Sequence, residues 1–261
     1  MLRFFGFTVV GRTSPPAARR QGPTRARTPR GRALAGLAGL VLACLAPWPI
    51  AHAGAYEDFF AAIPRDDAST VRLLMLRGIS ANSPDRKHGP ALVYAASMKA
   101  YAVIRAMLES PLTDANIRNS FGETALMHVA MHGDIDTARL LVSKGAQVNQ
   151  PGWTPLHYAV IGGQADMVRW LLEQNAYIDS PSANQTTPLM MAARDKQATL
   201  ARLLLQEGAD PSLRNEAGLS AADYAQRAGD AETAQWLREQ AEAFTRKYGS
   251  REQPVPAQRR P

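Results

Sequence analysis

Cysteine is almost absent from this sequence of 261 residues, and its single copy, Cys44, lies in an apolar stretch near the N-terminus. Residues 54–261 contain none, which excludes disulfides, thiol nucleophiles and cysteine-ligated metals from that part of the chain. Gly-rich phosphate loops, nucleophile elbows and paired acid signatures are also missing. We therefore expect no enzyme, no catalytic residues, no cofactor and no metal site.

Negative charge is missing from the first 53 residues, which carry eight arginines and neither Asp nor Glu. The whole chain has 30 Lys and Arg against 23 Asp and Glu, a net charge of +7. Without the eight leading arginines, 22 basic residues face 23 acidic ones, a balance near −1. Nucleic-acid binding needs clustered positive charge, so we expect no nucleic-acid partner.

One apolar run, residues 33–45, follows the basic segment Arg25–Arg32 and precedes Ala51-His52-Ala53. A positive region, an apolar core of about 7–15 residues and an A-x-A site are typical of a secretory signal. We expect residues 1–53 to be a signal or leader segment cleaved after Ala53, and the mature protein to be periplasmic or secreted. The run spans about 20 Å, short of the ~30 Å hydrocarbon core, so no membrane span is expected after cleavage.

The leader admits two other interpretations. Arg-rich, acid-free leaders also resemble mitochondrial presequences, although the apolar core and the A-x-A site fit secretion better. Val41-Leu42-Ala43-Cys44 loosely resembles a lipoprotein site, with Leu42 a poor fit. Lipid anchoring through Cys44 is the weaker alternative to cleavage after Ala53.

A short motif of the form Thr-Pro-Leu-His-x-Ala-Ala recurs at a spacing of 30 to 34 residues. Its copies begin, from the most to the least complete, at Thr154, Thr187, Thr124, Pro90, Ser220 and Glu57. A Thr hydroxyl can cap free N–H groups and Pro is tolerated at the first helical position. Each copy therefore predicts the start of a helix.

A second motif recurs in phase, 16 or 17 residues after each start. It is a pair of large apolar residues, at Leu73-Leu74, Met107-Leu108, Leu140-Leu141, Leu171-Leu172, Leu203-Leu204 and Trp236-Leu237. Gly145 and Gly208, with Asn175 in another copy, suit the left-handed residue that ends a helix. Two motifs recurring jointly at a period near 33 resemble the ankyrin repeat family, and more closely the small exported ankyrin proteins of bacteria.

The resemblance implies an all-α solenoid of about six stacked helix-turn-helix repeats with short β-hairpin fingers. We expect three segments: the leader 1–53, a repeat domain over 54–248 with repeats starting near 57, 90, 124, 154, 187 and 220, and a disordered tail over 249–261. The last helix, from Ala231 to about Lys247, carries charged residues suited to a soluble cap. The finger Asn149–Trp153 is about three residues shorter than its counterparts, whereas those at Arg86-Lys87 and Ser180–Gln185 are full length.

Three histidines of the repeats are candidates for a metal-binding or a structural role. His128 and His132 have the i, i+4 spacing of metal ligands, but no third ligand is evident, and the competing interpretation is surface or partly buried histidines. His157 occupies the histidine of the family motif, where it is implied to be structural and to hydrogen-bond within its repeat.

In the ankyrin family, partners meet a concave face made of finger tips and exposed first-helix positions. The residues that align there are Arg86, Lys87, Ser97, Met98, Ser120, Phe121, Glu123, Met131, His132, Trp153, Ile161, Ala183, Thr186, Arg194 and Asp195. From these we predict a partner-binding site of Met98, Phe121, Met131, His132, Trp153, Ile161 and Arg194. Its apolar members suit an interaction surface; alternatively, Trp153 and Phe121 cover the short finger and pack on each other.

An arginine recurs in one register of the second helices, at Arg72, Arg105, Arg139, Arg169 and Arg202. It is either a basic stripe for an acidic partner or a solvated face in which Arg139 pairs with Asp136, Arg169 with Asp166 and Glu173, and Arg105 with Glu109.

The sequence thus predicts a monomeric, non-enzymatic module of the bacterial envelope that binds a protein partner on its concave face. Two alternatives stay open: an immunity-type inhibitor of a toxin or hydrolase, and a secreted effector directed at a host cell. Fold alone does not decide among them.

Overall fold

The computed structural model describes residues 50–249, so the leader before residue 50 and the tail beyond 249 lie outside the described residues. The helices are α1 (Ile50–Ala62), α2 (Ala68–Leu76), α3 (Ala91–Ser97), α4 (Tyr101–Leu108), α5 (Ala125–His132), α6 (Ile135–Ser143), α7 (Pro155–Ile161), α8 (Ala165–Glu173), α9 (Pro188–Arg194), α10 (Ala198–Gln206), α11 (Ala221–Arg227) and α12 (Ala231–Tyr248). A 3₁₀ turn, Ile63–Arg65, follows α1. Strands β1 (Pro84–Asp85) and β2 (Gly89–Pro90) pair antiparallel as a small hairpin finger. The twelve helices of residues 50–249 form six pairs, which confirms the predicted fold class.

The helices stack in two rows. In one row α3, α5, α7, α9 and α11 each contact the next, and in the other α2, α4 and α6 do so. Each second helix buries at least one leucine of the recurring pair, and the buried leucines of these pairs are Leu74, Leu108, Leu141, Leu171, Leu203, Leu204 and Leu237. One helix pair cannot bury its apolar face alone, and stacking joins these side chains into a continuous core.

Two pairs were predicted one residue out of register: counted from the N-caps Ala100 and Gln164, the equivalents of the other pairs are Ala106-Met107 and Trp170-Leu171. Leu172 is only half-buried while Trp170 and Leu171 are buried, so Trp170-Leu171 is the equivalent of the other pairs. One residue of slip turns a side chain by about 100° around a helix axis, which moves Leu172 off the inward face.

In four of the six repeats the recurring Thr or Ser caps the first helix, as predicted, whereas α1 begins at Ile50, before the predicted start near Glu57. Thr124, Thr154, Thr187 and Ser220 are the N-caps of α5, α7, α9 and α11, each in a capping box with the third helical residue. That residue usually is Glu or Gln, but here it differs between repeats. The backbone N–H of each cap residue donates to it: to the sulfur of Met127 and Met190, to the ring of His157, and to the carboxylate of Asp223.

Loops of neighbouring repeats are joined by three asparagines, Asn82, Asn116 and Asn149, which we call the asparagine ladder. The side-chain N–H of each asparagine donates to a backbone carbonyl of the next repeat. Its side-chain oxygen accepts the backbone N–H of the residue two positions after that carbonyl. The fourth position holds Asp179, which accepts the N–H of Asp210 but has no N–H to donate. The ladder satisfies backbone groups that a helix end leaves without partners.

Repeats three and four approach each other very closely behind the short finger. A Cβ on Gly162 would lie 1.9 Å from the carbonyl oxygen of Met131, although φ of Gly162 is an ordinary −73°. Glycine is therefore required here by space, because any side chain would collide with backbone of the neighbouring repeat.

The last helix, α12, is 18 residues long, whereas the second helices before it have eight or nine. Its start at Ala231 and end at Tyr248 agree with the predicted capping helix. No helix among residues 50–249 is both long and apolar enough to cross a membrane.

Candidate functional site

The predicted site residues lie at the ends of the first helices and in the loops before them. We call the surface formed by Met98, Phe121, Met131, His132, Trp153, Ile161 and Arg194 the first-helix face. Phe121 is 84% exposed, Met98 45% and Trp153 37%. Met131, His132 and Ile161 are half-buried and Arg194 is exposed. Three successive repeats thus each present a large exposed apolar side chain.

Two further positions expected to be exposed are covered. Thr186 is buried, because its N–H bonds to Ser182 Oγ at 3.0 Å and its carbonyl accepts a hydrogen bond from His157 Nε2 at 3.0 Å. The expectation of an exposed Thr186 was wrong. Glu123 is half-buried and takes part in a hydrogen-bond network.

Trp153 packs against the helix that it precedes. Its ring meets the rings of His157 and Tyr158 edge-on, with centroids 5.3 and 6.2 Å apart. Its carbonyl accepts a hydrogen bond from Gln150 Nε2 at 2.8 Å, and Arg118 of the preceding finger donates to Gln150 Oε1. The ring contacts of Trp153 are therefore with its own repeat, and Phe121 is not among them.

Phe121 lies at the tip of a tight loop, residues 119–123. The side-chain oxygen of Asn119 accepts the N–H groups of Phe121 and Glu123 at 2.9 and 3.0 Å, and the Asn119 N–H donates to the Glu123 carbonyl. The loop backbone is thereby fixed while the Phe121 ring stays in solvent. A rigid loop presenting an aromatic side chain suits recognition, because little conformational entropy is lost on binding.

Glu123 joins the third repeat to the fourth. Tyr158 Oη donates to Glu123 Oε1 at 2.5 Å, Asn119 Nδ2 donates to Oε2 at 2.7 Å, and His128 Nε2 lies 3.2 Å from Oε2. Burial raises the pKa of the Glu123 carboxyl, but the hydrogen bonds from Tyr158 and Asn119 and the nearby His128 ring outweigh it and leave that pKa lowered. Burial and the bond to Glu123 raise the pKa of the Tyr158 phenol. The carboxyl is therefore charged at neutral pH.

Sequence reasoning missed Asn119 and Tyr158 as members of this network. A signal for Tyr158 was available, since the same register of the first helices carries Tyr94, His128, Tyr158, Met191 and Tyr224, four of them polar aromatic residues. Asn119 had no comparable signal, because its partners are set by the fold of the loop.

His157 is structural, as the family motif implied. The Thr154 N–H and hydroxyl face its Nδ1 at 3.3 and 2.9 Å, and its Nε2 lies 3.0 Å from the Thr186 carbonyl. A carbonyl only accepts and a backbone N–H only donates, so the ring is neutral with its proton on Nε2. Burial lowers the pKa of His157 to about 4, opposed by the bond to Thr186. Through its bond to Thr186, His157 also links its own repeat to the next one.

His128 and His132 do not come together with a third ligand. Over the part of the chain that the structure describes, no three His, Cys, Asp or Glu side chains are placed to hold a metal ion. His128 is half-buried and bonds to Glu123, while burial lowers the pKa of the half-buried His132 and Lys99 lowers it further.

The charged residues of the helices form isolated pairs. Arg194 makes two bonds to Asp195 at 2.7 and 2.9 Å. In the arginine register, the expected pair of Arg169 with Asp166 is present. Glu109 instead pairs with Arg72 of the preceding repeat, which binds both its oxygens, because stacking brings that guanidinium closer than the one on its own helix. Arg202 lies over the Trp236 ring at 4.5 Å.

Surface cavities occur away from the first-helix face. One of about 840 Å³ lies between α12 and residues 211–214, and one of about 380 Å³ lies between the ends of α2 and α4. Neither is lined by a residue of the first-helix face. An exposed apolar surface outside a cavity suits a protein partner better than a small molecule, which needs a concave pocket.

Comparison with known proteins gives relatives built of the same repeats. The B-cell lymphoma 3 protein homolog of Mus musculus is 31% identical over 153 residues, which are 56% of this chain and 34% of that protein. Ankyrin repeat and SAM domain-containing protein 6 of Rattus norvegicus is 29% identical over 135 residues, 49% of this chain and 15% of that protein. The chain spans about a third or less of the length of these relatives.

Two solved structures are similar in fold. The ankyrin repeat domain of Bcl-3 aligns with a TM-score of 0.59 and 26% identity over 69% of this chain and 81% of that one. A chain from the complex of a predatory endopeptidase of Bdellovibrio bacteriovorus with an immunity protein aligns with a TM-score of 0.61 and 25% identity, over 70% of this chain and 97% of that one.

Family models for ankyrin repeats match residues 92–182, as three copies, and residues 177–225, as many copies. Together they cover residues 92–225, just over half of the 261. The chain belongs to the ankyrin repeat family.

Proposed function

We propose that this protein is a non-enzymatic protein-binding module whose partner docks on the first-helix face. Ankyrin repeats are protein–protein interaction modules. The observation that carries the proposal is the exposure of Met98, Phe121 and Trp153 in three successive repeats. Exposed apolar clusters mark interaction sites, and aromatic anchors dominate the energy of interfaces.

Phe121 argues most directly for a partner. A phenyl ring that is 84% exposed contributes almost no burial to folding, although full burial of such a side chain stabilises by about 1.5–3 kcal/mol. That free energy becomes available when a partner covers the ring. The fixed loop beneath it lowers the entropic cost of doing so.

We further propose that the protein acts in the bacterial envelope, in the periplasm or outside the cell. The support is the order of the basic segment, the apolar run 33–45 and Ala51-His52-Ala53 in the sequence. N-terminal sequencing of the protein recovered from cells tests this, with Gly54 as the expected first residue. A product that retains residues 1–53 would contradict it, whereas one cleaved before Cys44 would keep the protein in the envelope but show that it is lipid-anchored.

A second candidate is an immunity-type inhibitor that covers the active site of a hydrolase or toxin. It is supported by the similarity to a chain of the endopeptidase–immunity protein complex, of which the alignment covers 97%. Both candidates use the same surface and differ in what the partner is. If the captured partner is a hydrolase whose turnover stops when this protein is added in equimolar amount, the inhibitor is favoured over a scaffold.

Affinity capture from an envelope extract tests the docking surface. We expect the variants Phe121→Ala and Trp153→Ala each to weaken capture of the partner by more than about 1 kcal/mol, roughly fivefold or more. The matched control is Tyr177→Ala, because Tyr177 is also an exposed aromatic, 69% accessible, but lies outside the first-helix face. Equal loss of capture by Tyr177→Ala, or melting temperatures that fall while capture is unchanged, would refute docking on this face.

A further inference from the structure

A carboxylate belongs to the same loop as Phe121, the most exposed residue of the first-helix face. Glu123 is two residues beyond Phe121, and its side chain is 23% exposed. Among residues 50–249 the imidazole of His128 is the only basic group within 4.0 Å of it. No Lys or Arg of that part of the chain makes an ion pair with Glu123.

The network around Glu123 leaves room for one more donor. Two carboxylate oxygens offer about four lone-pair sites, and Tyr158, Asn119 and His128 use three. These partners fix the carboxylate in place. A further donor would meet an acceptor that is already oriented, which lowers the cost of binding.

Aromatic rings border the same carboxylate. Tyr158, which donates to it, packs edge-on against Trp153, and Phe121 stands at the tip of the loop that ends at Glu123. Rings attract cations to their faces, and Arg exploits this more often than Lys. A carboxylate bordered by aromatic rings matches an extended basic side chain, which has an apolar stem and a charged head.

The nearest arginine along the loop does not supply that cation. Arg118 donates to Gln150 Oε1 at 2.9 Å and so is directed to the neighbouring finger. An apolar partner that covered Phe121 and Trp153 would strip water from the Glu123 charge, and an unpaired buried charge is costly. An acidic partner group would in addition be repelled.

We propose that the first-helix face recognises its protein partner through an Arg or Lys side chain that pairs with Glu123 beside Phe121 and Trp153. The inference rests on the proposed function, because it concerns the same docking surface. It assigns the partner a basic residue flanked by apolar ones.

Selection from a random twelve-residue peptide library displayed on phage tests the inference with the purified protein. Clones that bind the wild-type chain but not Trp153→Ala define ligands of the first-helix face. We expect these peptides to share an Arg or Lys. Glu123→Gln should weaken binding of the best peptide at least tenfold, because the amide keeps the hydrogen bond from Tyr158 but carries no charge.

Two further measurements separate charge pairing from a structural role of Glu123. Replacing the peptide Arg by citrulline, or a Lys by norleucine, leaves the protein unchanged. This replacement should also lower the affinity of the peptide for the wild-type protein at least tenfold. The same peptide change should lower the affinity for Glu123→Gln only slightly, because that variant has already lost the charge with which the basic residue pairs. Glu207→Gln, which removes an exposed charge from the loop after α10, is the control and should bind as the wild type does.

The outcomes distinguish this inference from the docking proposal. Peptides that depend on Trp153 but lack a basic residue, or that bind Glu123→Gln as tightly as the wild type, overturn the pairing and leave docking on this face intact. If the library yields no Trp153-dependent peptide, the docking proposal and the pairing fail together.

Discussion

Replacing His157 by Met should remove an acid sensitivity from this protein. The pKa of the His157 ring is about 4 in the folded state, below the ordinary value near 6.5. Between these values the unfolded chain binds a proton that the folded chain does not, so stability is complete above pH 6.5 and falls as the pH falls towards 4. Integrated over the interval, the loss is about 2 kcal/mol at pH 5 and about 3 kcal/mol at pH 4.

Methionine is the replacement that this protein already uses at the same position. In α5 and α9, sulfur atoms of Met127 and Met190 accept the cap N–H at 3.3 and 3.5 Å. His157→Met gives up the Nε2–H bond to the Thr186 carbonyl, which keeps the N–H of Ser182 at 3.0 Å. The cost at pH 7.5 should therefore be about 1 kcal/mol.

The assay is urea unfolding followed by circular dichroism at pH 7.5 and pH 5.0. Between these pH values we expect the free energy of unfolding of the wild type to fall by about 2 kcal/mol more than that of His157→Met, because the other titrating groups are common to both. Met190→Leu, altered at the equivalent site without a titrating group, should keep the wild-type pH dependence. Equal losses in the wild type and His157→Met would refute the assignment of a neutral, buried His157.

The remaining predictions concern contacts between repeats. Gly162→Ala should destabilise the fold by about 3 kcal/mol or more, since its Cβ would strike the Met131 carbonyl. Gly163→Ala, where φ is +71° but the new Cβ would meet only the Gln197 side chain at an ordinary 3.9 Å, should cost only about 1 kcal/mol. Similar unfolding midpoints for the two variants would rule out the steric explanation. Asn116→Asp should destabilise by about 1 kcal/mol, because it keeps the oxygen that accepts the Gln147 N–H but loses the N–H that donates to the Gly145 carbonyl; an unchanged melting temperature would contradict the contribution of the ladder.

Much of the architecture could be predicted because ankyrin repeats are specified by local physics. Caps such as Thr124 and Thr187 act within three residues of themselves, so the starts of α5, α7, α9 and α11 could be predicted from the sequence. The left-handed ends at Gly145, Gly208 and Asn175, with φ of +90°, +98° and +62°, follow from the residue types alone. Because the same motif recurs in six repeats, the fold could be predicted even though a single copy of the motif would be weak evidence.

The prediction of the site was only partly successful, for a physical reason. Exposure of Phe121 and Trp153 follows from their positions before a helix start, and the structure places both at the surface. Thr186 occupies the same kind of position but is buried, because His157 of the preceding repeat and Ser182 of its own loop bond to its backbone. Alignment to a motif cannot distinguish these cases, since the difference lies in a residue of another repeat.

The sequence by itself determined the period, the capped helix starts at Thr124, Thr154, Thr187 and Ser220, and most of the inward leucines, since each depends on residues a few positions apart. Tertiary structure alone decided the contacts between repeats: Glu123 with Tyr158, 35 positions away, the asparagine ladder, and the approach of Met131 that reserves position 162 for glycine. Those contacts depend on the distance and rotation between stacked repeats. These quantities arise from the packing of whole helices and have no counterpart in the order of residues within one repeat.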